Sequence, residues 1–167
     1  YYNMRKFPHY KQHDAMDCGP TCLRMIAAFY GRHYSLERLR QKSRITKEGV
    51  SLLGVSEAAE SLGFRTMGVS ISFEQLCEAP LPCIVFWNQQ HFVVVYDIKK
   101  HKNGFTVYVA DPAGERLKYT QDEFCRNWIS TEDEGVPHGI ALLLEPSPEF
   151  YSYEGETEKR QGFRFLF

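Results

Sequence analysis

The sequence lacks an excess of charge of either sign, since its 167 residues contain 20 lysines and arginines against 21 aspartates and glutamates, a net charge of -1. It also lacks a basic run with interleaved aromatic residues, and we therefore exclude nucleic acid as a partner. The first residues, YYNMRKFPHY, contain no apolar core of the kind that a signal peptide needs. No stretch approaches the roughly 18 uninterrupted apolar residues of a membrane span, so we expect this chain by itself to be soluble.

The cysteines are few and odd in number, namely Cys18, Cys22, Cys77, Cys83 and Cys125. An odd set without a secretion signal argues against a disulfide framework and predicts a reducing compartment. Cys18 and Cys22 could hold zinc with His9 or His13, but no second Cys-x2-Cys or His-x3-His pair completes a tetrahedron. A redox pair is a weaker alternative still, because no strand of the thioredoxin type precedes these cysteines. We therefore predict neither a metal nor a cofactor in this domain.

Apolar spacing divides the chain into a helical first half and a strand-rich second half. Three- and four-residue steps after Pro20 predict a helix that Gly31 ends. Further helices are predicted to begin after the capping residues Ser35, Ser51 and Ser72. From residue 82, β-branched and aromatic runs predict antiparallel strands over PCIVFW, HFVVVYDIK, FTVYVAD and GIALLLE, with a capped helix DEFCRNW before the last. This order predicts an α+β domain whose N-terminal helical half packs on a C-terminal antiparallel sheet.

We place this domain at residues 1–145 and a linker at 146–167. The stretch EPSPEFYSYEGETEK is polar and contains two prolines, which is typical of linkers. It leads into RQGFRFLF, which ends while still apolar. We expect this end to be the start of a membrane-proximal segment of a longer chain.

Cys18 differs from the other cysteines because it stands just before the first predicted helix. A free cysteine is usually a core residue, and we predict that role for the other four. The N–H groups at the start of a helix carry partial positive charge and stabilise a thiolate, which is the reactive form. This position predicts that Cys18 is a nucleophile. The neighbouring Asp17 either tunes the thiolate or caps the helix, and we favour capping.

A nucleophilic cysteine needs a base, and it needs donors for the oxyanion that forms on the substrate. Gln12 can supply a side-chain amide donor beside the backbone N–H of Cys18. Among the six histidines we select His91, because it opens the strand HFVVVY, where its ring can be held firmly. A hydrogen-bonded strand-end residue is the alternative for His91. We expect the other five to be solvated or loosely held, namely His9, His13, His33, His101 and His138.

Asp111 is the candidate for orienting this base, and an ordinary turn aspartate is the alternative. If the hairpin turns through the three residues HKN, with Gly104 left-handed, then Lys100 faces Gly104 and Val93 faces Asp111. His91 and Val93 share a face, so His91 and Asp111 become diagonal neighbours with backbones roughly 7–8 Å apart. An imidazole and a carboxylate can bridge that distance, whereas a slip of one residue would place them on opposite faces.

The stretches QHDAMDCGPTCLRMI, QHFVVV and ADPA together resemble the bacteriocin-processing peptidases, the family-39 cysteine peptidases. These are papain-like domains at the N-terminus of certain ABC transporters, and the resemblance extends from about Phe7 to Glu145. It implies that Cys18 is the nucleophile, His91 the general base, Asp111 the orienting acid and Gln12 the oxyanion donor. True papain has CGSC followed by an aromatic residue, whereas this chain has CGPTCL.

The resemblance also implies a substrate and partners. The substrate would be a ribosomally made precursor peptide, held through an amphipathic leader helix and cut after the Gly-Gly pair that ends the leader. The partners would be the transmembrane and ATPase domains of a transporter, with this domain on the cytoplasmic side of a bacterial inner membrane. ATP is expected only in a separate domain, because the chain has no GxxxxGK[ST] phosphate loop. The alternative from another class is a non-catalytic module that only docks leader peptides.

Overall fold

The computed structural model describes residues 7–43 and 51–152, in which six α-helices and seven β-strands occur. The helices are α1 (Cys18–Phe29), α2 (Leu36–Ser43), α3 (Leu52–Ser61), α4 (Phe73–Glu78), α5 (Gln121–Trp128) and α6 (Pro148–Ser152). The strands are β1 (Phe64–Ile71), β2 (Cys83–Trp87), β3 (His91–His101), β4 (Gly104–Ala110), β5 (Arg116–Thr120), β6 (Ile129–Asp133) and β7 (Val136–Pro146). None of the helices in the described ranges has the length and apolar character needed to cross a membrane.

Local side-chain caps set the starts of four helices. Each cap accepts a hydrogen bond from the backbone N–H three residues later, and the capping residues are Ser35, Ser51, Ser72 and Thr120. Such a bond satisfies a backbone donor that the helix itself leaves unpaired. The predicted starts of these four helices are therefore confirmed.

The start of α1 differs from the prediction. A 3-10 turn, Ala15–Asp17, directly precedes the helix, and the side chain of Asp14 caps this turn by accepting the Met16 N–H. The turn already brings the backbone into helical conformation, so Cys18 is the first residue of α1 and not a residue before it. The thiol nevertheless stays in the first turn, where the helix dipole favours a negative charge.

The strands form one antiparallel sheet in the order β1-β7-β2-β3-β4-β5, with β6 paired to β7. The sheet prediction is confirmed for β2, β3, β4 and β7. The prediction missed β1, β5 and β6, whose residues are mostly exposed or half-buried and show little apolar alternation.

Helices cover both faces of the sheet and create two apolar clusters. One cluster joins α1 and α3 to residues such as Val94, and the other joins α4 and α5 to residues such as Val93 and Val95. Successive strand residues point to opposite faces, so a strand buried on both faces is apolar without interruption. Burial on both faces explains the apolar run from Val93 to Val95. The arrangement confirms the predicted α+β class, and it adds a second helical layer that was not predicted.

The folded region continues beyond the boundary expected at residue 145. Pro146 still belongs to β7, and α6 places the fully buried ring of Phe150 4.5 Å from the centre of the Phe64 ring. The polar composition of the stretch concealed this one apolar contact. The remainder of the predicted linker and membrane-proximal segment, from residue 153 onward, lies outside the described residues.

Candidate active site

The β3–β4 hairpin brings His91 and Asp111 together. His101 pairs with Gly104, so the turn consists of Lys102 and Asn103 alone and the predicted three-residue loop is wrong. If the ladder continued from this two-residue turn without interruption, every pair would be shifted by one residue from the predicted register. Such a shift would place His91 and Asp111 on opposite faces of the sheet.

A β-bulge corrects this register. The pairing shifts between Val95 and Asp97, where Tyr96 is the extra residue, and beyond the bulge Val94 pairs with Ala110. Continuing this register places Val93 opposite Asp111. The expected pairing is therefore present, although it results from a shorter turn and a bulge that the sequence did not reveal.

The side chains of His91 and Asp111 form a hydrogen-bonded pair. His91 Nε2 lies 2.8 Å from Asp111 Oδ1, and each side chain is 19% exposed. The same Asp111 oxygen accepts the backbone N–H of Ala113 at 2.9 Å, which fixes the carboxylate in its turn. A partly buried, doubly anchored carboxylate can hold an imidazole in one orientation and one tautomer.

The electrostatics of the pair favour its charged form. Burial lowers the pKa of His91, but hydrogen bonds to Asp111 and Cys18 and the charges of both groups outweigh burial, and they raise this pKa from 6.5 to about 9. Burial raises the pKa of Asp111, but the hydrogen bonds from His91 and from the Ala113 N–H, with the charges of His91 and His9, lower it below its ordinary value. The ring is therefore an imidazolium near neutral pH.

Cys18 approaches this pair from α1, close enough for its thiol to contribute to the raised pKa of His91. The residue is 7% exposed and lies at the edge of an apolar cluster, so its thiol is sheltered but not sealed. One turn further, the Cys22 thiol donates to the Phe92 carbonyl oxygen at 3.3 Å, and burial raises its pKa far above the ordinary value. Only the first of the two cysteines on α1 contacts the base.

The remaining cysteines follow the predicted core role in part. Cys83 is fully buried, and burial raises its pKa to about 12. Cys77 and Cys125 are only half-buried, on α4 and α5, and burial is again the largest cause of their raised pKa values. In the part of the chain that the structure describes, no three His, Cys, Asp or Glu side chains come together as a metal site requires.

Residues 7–14, which we call the N-terminal strap, bring Gln12 to the site. The Gln12 N–H donates to the Pro112 carbonyl oxygen at 2.8 Å, and His9 Nε2 lies 2.9 Å from the Asp111 carbonyl oxygen. The Gln12 side-chain nitrogen donates to the Asp14 carbonyl oxygen at 2.8 Å, which uses one of its two hydrogens. The expectation that His9 is loosely held is therefore wrong, because a bond across the fold to the Asp111 backbone fixes it.

The other end of the strap is also anchored. Arg116 Nη1 donates to the Phe7 carbonyl oxygen at 2.7 Å, and the Phe7 ring stacks on the ring of the bulge residue Tyr96 with centroids 4.4 Å apart.

Among the histidines outside the site, His33 and His101 are exposed, as expected, whereas His138 is half-buried in β7.

Asp17 does not cap α1, contrary to the prediction. Its side chain makes no cap hydrogen bond to the helix and is fully buried, where it forms an ion pair with Arg40 of α2. Sequence reasoning missed Arg40 because this arginine lies in a helix whose pattern, LERLRQKS, is that of a solvated surface helix. The role of Arg40 becomes visible only in the structure, where buried Asp17 faces α2.

Comparison with known proteins places this geometry in a family. The sequence model of the Peptidase C39 family matches residues 6–132, well over half of the chain. The colicin V secretion/processing ATP-binding protein CvaB of Escherichia coli is 30% identical over 153 residues, covering 92% of this chain and 20% of that protein. The chain spans about a fifth of the length of the curated relatives it matches.

Two solved structures share the fold. One is a double glycine motif protease from an AMS/PCAT transporter in complex with the leader peptide, with a TM-score of 0.73 and 31% identity, covering 85% of this chain and 93% of that one. The other is the peptidase domain of Streptococcus ComA, a bi-functional ABC transporter involved in a quorum sensing pathway, with a TM-score of 0.68 and 28% identity, covering 84% and 99%. The papain-like fold and the resemblance seen in the motifs are thereby confirmed, and the chain belongs to the Peptidase C39 family.

Proposed function

We propose that this chain is a cysteine endopeptidase that removes the leader of a ribosomally made precursor peptide after a Gly-Gly pair. The observation that carries the proposal is the hydrogen-bonded pair of His91 and Asp111 with Cys18 close to the imidazole, which supplies a nucleophile, a base and an orienting acid. Family membership and the likeness to a double glycine motif protease solved with its leader peptide support the substrate class. A module that only docked peptides would not need this set.

The resting state follows from the proton positions. Since Nε2 of His91 donates to Asp111, the other ring nitrogen, Nδ1, is the one that takes the proton of the Cys18 thiol. The result is a thiolate beside an imidazolium, which the raised pKa of His91 favours at neutral pH. The charge separation that catalysis needs is therefore present before the substrate binds.

The reaction is acyl transfer in two steps. The Cys18 thiolate attacks the carbonyl carbon of the scissile bond, and the imidazolium Nδ1–H of His91 gives its proton to the leaving amine. A water molecule, deprotonated by Nδ1, then attacks the thioester and releases the thiolate. Asp111 stays ionised throughout and stabilises the imidazolium whenever it forms.

The tetrahedral intermediates carry an oxyanion. We assign its donors to the second hydrogen of the Gln12 side-chain amide and to the backbone N–H of Cys18. The strap supports this assignment, because the bonds of Gln12 to Pro112 and Asp14 limit the movement of its amide. A pair of such donors stabilises the intermediate in a sheltered site more than water does.

A requirement for two glycines has a steric explanation. A cleft too narrow for any Cβ atom accepts glycine at both positions and excludes every other residue by overlap.

The same chain would act as one part of a transporter, with transmembrane and ATPase domains as its partners and the cytoplasmic face of a bacterial inner membrane as its location. The relatives support this arrangement, since their names describe secretion and processing ATP-binding proteins.

The test is cleavage of a synthetic leader–core peptide that contains Gly-Gly, by the wild type and by Cys18→Ala. The wild type is expected to cut only after the second glycine, and the variant to be inactive. A matched peptide in which the second glycine is alanine is the substrate control, and it should remain intact. Equal cleavage by both proteins, or no cleavage of any such peptide by the wild type, would contradict the proposal.

A further inference from the structure

An ion pair between a buried carboxylate and a half-exposed guanidinium lies beneath the start of α1. Asp17, the residue before the nucleophile, is fully buried, and Arg40 of α2 meets it with two parallel bonds: Nε to Oδ1 at 2.7 Å and Nη2 to Oδ2 at 2.5 Å. This fork-to-fork geometry is the strongest and most directional form of a carboxylate–guanidinium pair. Burying a carboxylate at this depth costs free energy, and such a partner offsets much of that cost.

The same guanidinium holds the turn in front of the nucleophile. Arg40 Nη2 also lies 3.3 Å from Asp14 Oδ2, and the Asp14 N–H donates to Asp17 Oδ2 at 3.2 Å. The carbonyl oxygen of Asp14 in turn accepts the Gln12 side-chain amide at 2.8 Å. One side chain from α2 is thus connected both to the proposed oxyanion donor and to the residue that precedes Cys18.

We propose that Arg40 is a positioning residue for the nucleophile. It holds the Asp14–Asp17 turn in place through its paired bonds to Asp17, and its positive charge neutralises Asp17, the residue next to Cys18 in the chain. It does not touch the substrate and acts only through Asp17 and Asp14.

The charge argument depends on which groups surround the sulfur. His91 from β3, Asp111 from the segment after β4 and Cys22 from the next turn of α1 face it, and Asp17 adjoins it along the chain. Of these groups only His91 is positive, and Asp111 already balances that charge. A second, uncompensated carboxylate would disfavour the thiolate.

We expect Asp17 to keep its charge in Arg40→Gln. Burial raises the pKa of Asp17, but the Arg40 hydrogen bond, the Asp14 backbone hydrogen bond, the Arg40 charge and the His13 backbone hydrogen bond together lower it. The two backbone donors remain when the guanidinium is removed. A carboxylate that stays negative next to Cys18 disfavours the thiolate.

The experiment compares the wild type with Arg40→Gln, with the double variant Asp17→Asn/Arg40→Gln, and with Arg126→Gln. Arg126 is an exposed arginine on α5, at the opposite face of the sheet, and its variant is the control for loss of one charge. One measurement is the pH dependence of alkylation of Cys18 by iodoacetamide, followed by mass spectrometry. The other is kcat and KM on the Gly-Gly peptide.

In Arg40→Gln the inflection of the alkylation profile is expected to rise by about one pH unit, and kcat to fall about tenfold with KM unchanged. In the double variant the inflection should return to the wild-type value because both charges are gone, while kcat stays low because the turn is no longer held. Arg126→Gln should match the wild type in both measurements. A purely structural role would lower kcat without moving the inflection.

A folded Arg40→Gln protein with the wild-type inflection overturns the inference, whether or not its kcat is lowered. If that variant does not fold, the double variant decides, since it leaves no buried unpaired charge: full kcat overturns the inference, and lowered kcat with unchanged KM supports it. The kcat measurement rests on the proposed function, whereas the alkylation profile needs no substrate. A wild type that cuts no Gly-Gly peptide would therefore refute the function and leave the alkylation result to decide the inference.

Discussion

Replacing Asp111 by asparagine tests the electrostatic core of the site. The change keeps the size and shape of the side chain but removes the charge that faces His91 Nε2 at 2.8 Å. Asparagine also offers an N–H where the ring donates, which favours the wrong tautomer of the imidazole. Both effects weaken the thiolate–imidazolium pair that begins the proposed reaction.

The magnitude follows from the pKa of His91, which rises from 6.5 to about 9. At about 1.4 kcal/mol per pH unit, this corresponds to roughly 3 kcal/mol in favour of the imidazolium. The hydrogen bond to Asp111 is the largest contribution in that direction, so we assign it about half of the total. Loss of about 1.5 kcal/mol lowers the imidazolium population about tenfold at pH values above about 9, and there the tautomer defect brings the expected loss in kcat/KM to about a hundredfold or more.

The assay is cleavage of the Gly-Gly peptide between pH 5 and 10. In the wild type, activity should fall as pH rises through about 9, because the imidazolium that protonates the leaving amine is lost. In Asp111→Asn this limb should move down by about one pH unit. Asp97→Asn is the matched control, because Asp97 lies on β3, the strand of His91, but beyond the bulge. The pH profile of this variant should equal that of the wild type. An Asp111→Asn profile whose basic limb has not moved refutes the reasoning.

Three further predictions concern packing and thiol chemistry. Gly139→Ala should destabilise the fold by about 1–3 kcal/mol in urea unfolding, because a Cβ there would overlap the ring of buried Trp128; an unchanged midpoint would show that the ring can move. Phe150→Ala should cost about 3–5 kcal/mol, whereas Tyr151→Ala, at a side chain that is 52% exposed, should cost less than about 1, and similar losses would contradict the assignment of α6 to the core. Iodoacetamide near neutral pH should label Cys18 first, half-buried Cys77 and Cys125 more slowly, and buried Cys22 and Cys83 only after unfolding, because burial raises the pKa values of these four; uniform labelling would argue against a thiolate at Cys18.

Features governed by short-range chemistry could be predicted well. The capped helix starts at Ser51, Ser72 and Thr120 are correct because a cap and the N–H that it satisfies lie three residues apart. The central strands are correct because burial on both faces makes them apolar throughout. Edge strands such as β5 have no comparable signal, since most of their side chains face solvent.

The site shows the limit of the same reasoning. A sequence pattern does not show whether a hairpin turns over two residues or three, nor whether a bulge follows at Tyr96, and these two errors compensated each other at Asp111. The irregular sequence around His9 gives no sign that a bond to a backbone oxygen 102 residues away holds this histidine. Arg40 has no distinguishing pattern, because it is one of several charged residues on a polar helix.

The sequence by itself determined the residue types for the chemistry, the presence of a helix close to the thiol, and the two-sided burial of the strand that carries the imidazole. Each of these depends on residues close together in the chain, whose backbone geometry and burial leave a periodic trace. Only the tertiary structure decided the register that joins His91 to Asp111, the strap that brings Gln12 to them, and the charge that neutralises Asp17. The physical reason is that these contacts join distant segments, and their distances and charges exist only after the sheet and its two helical layers have packed.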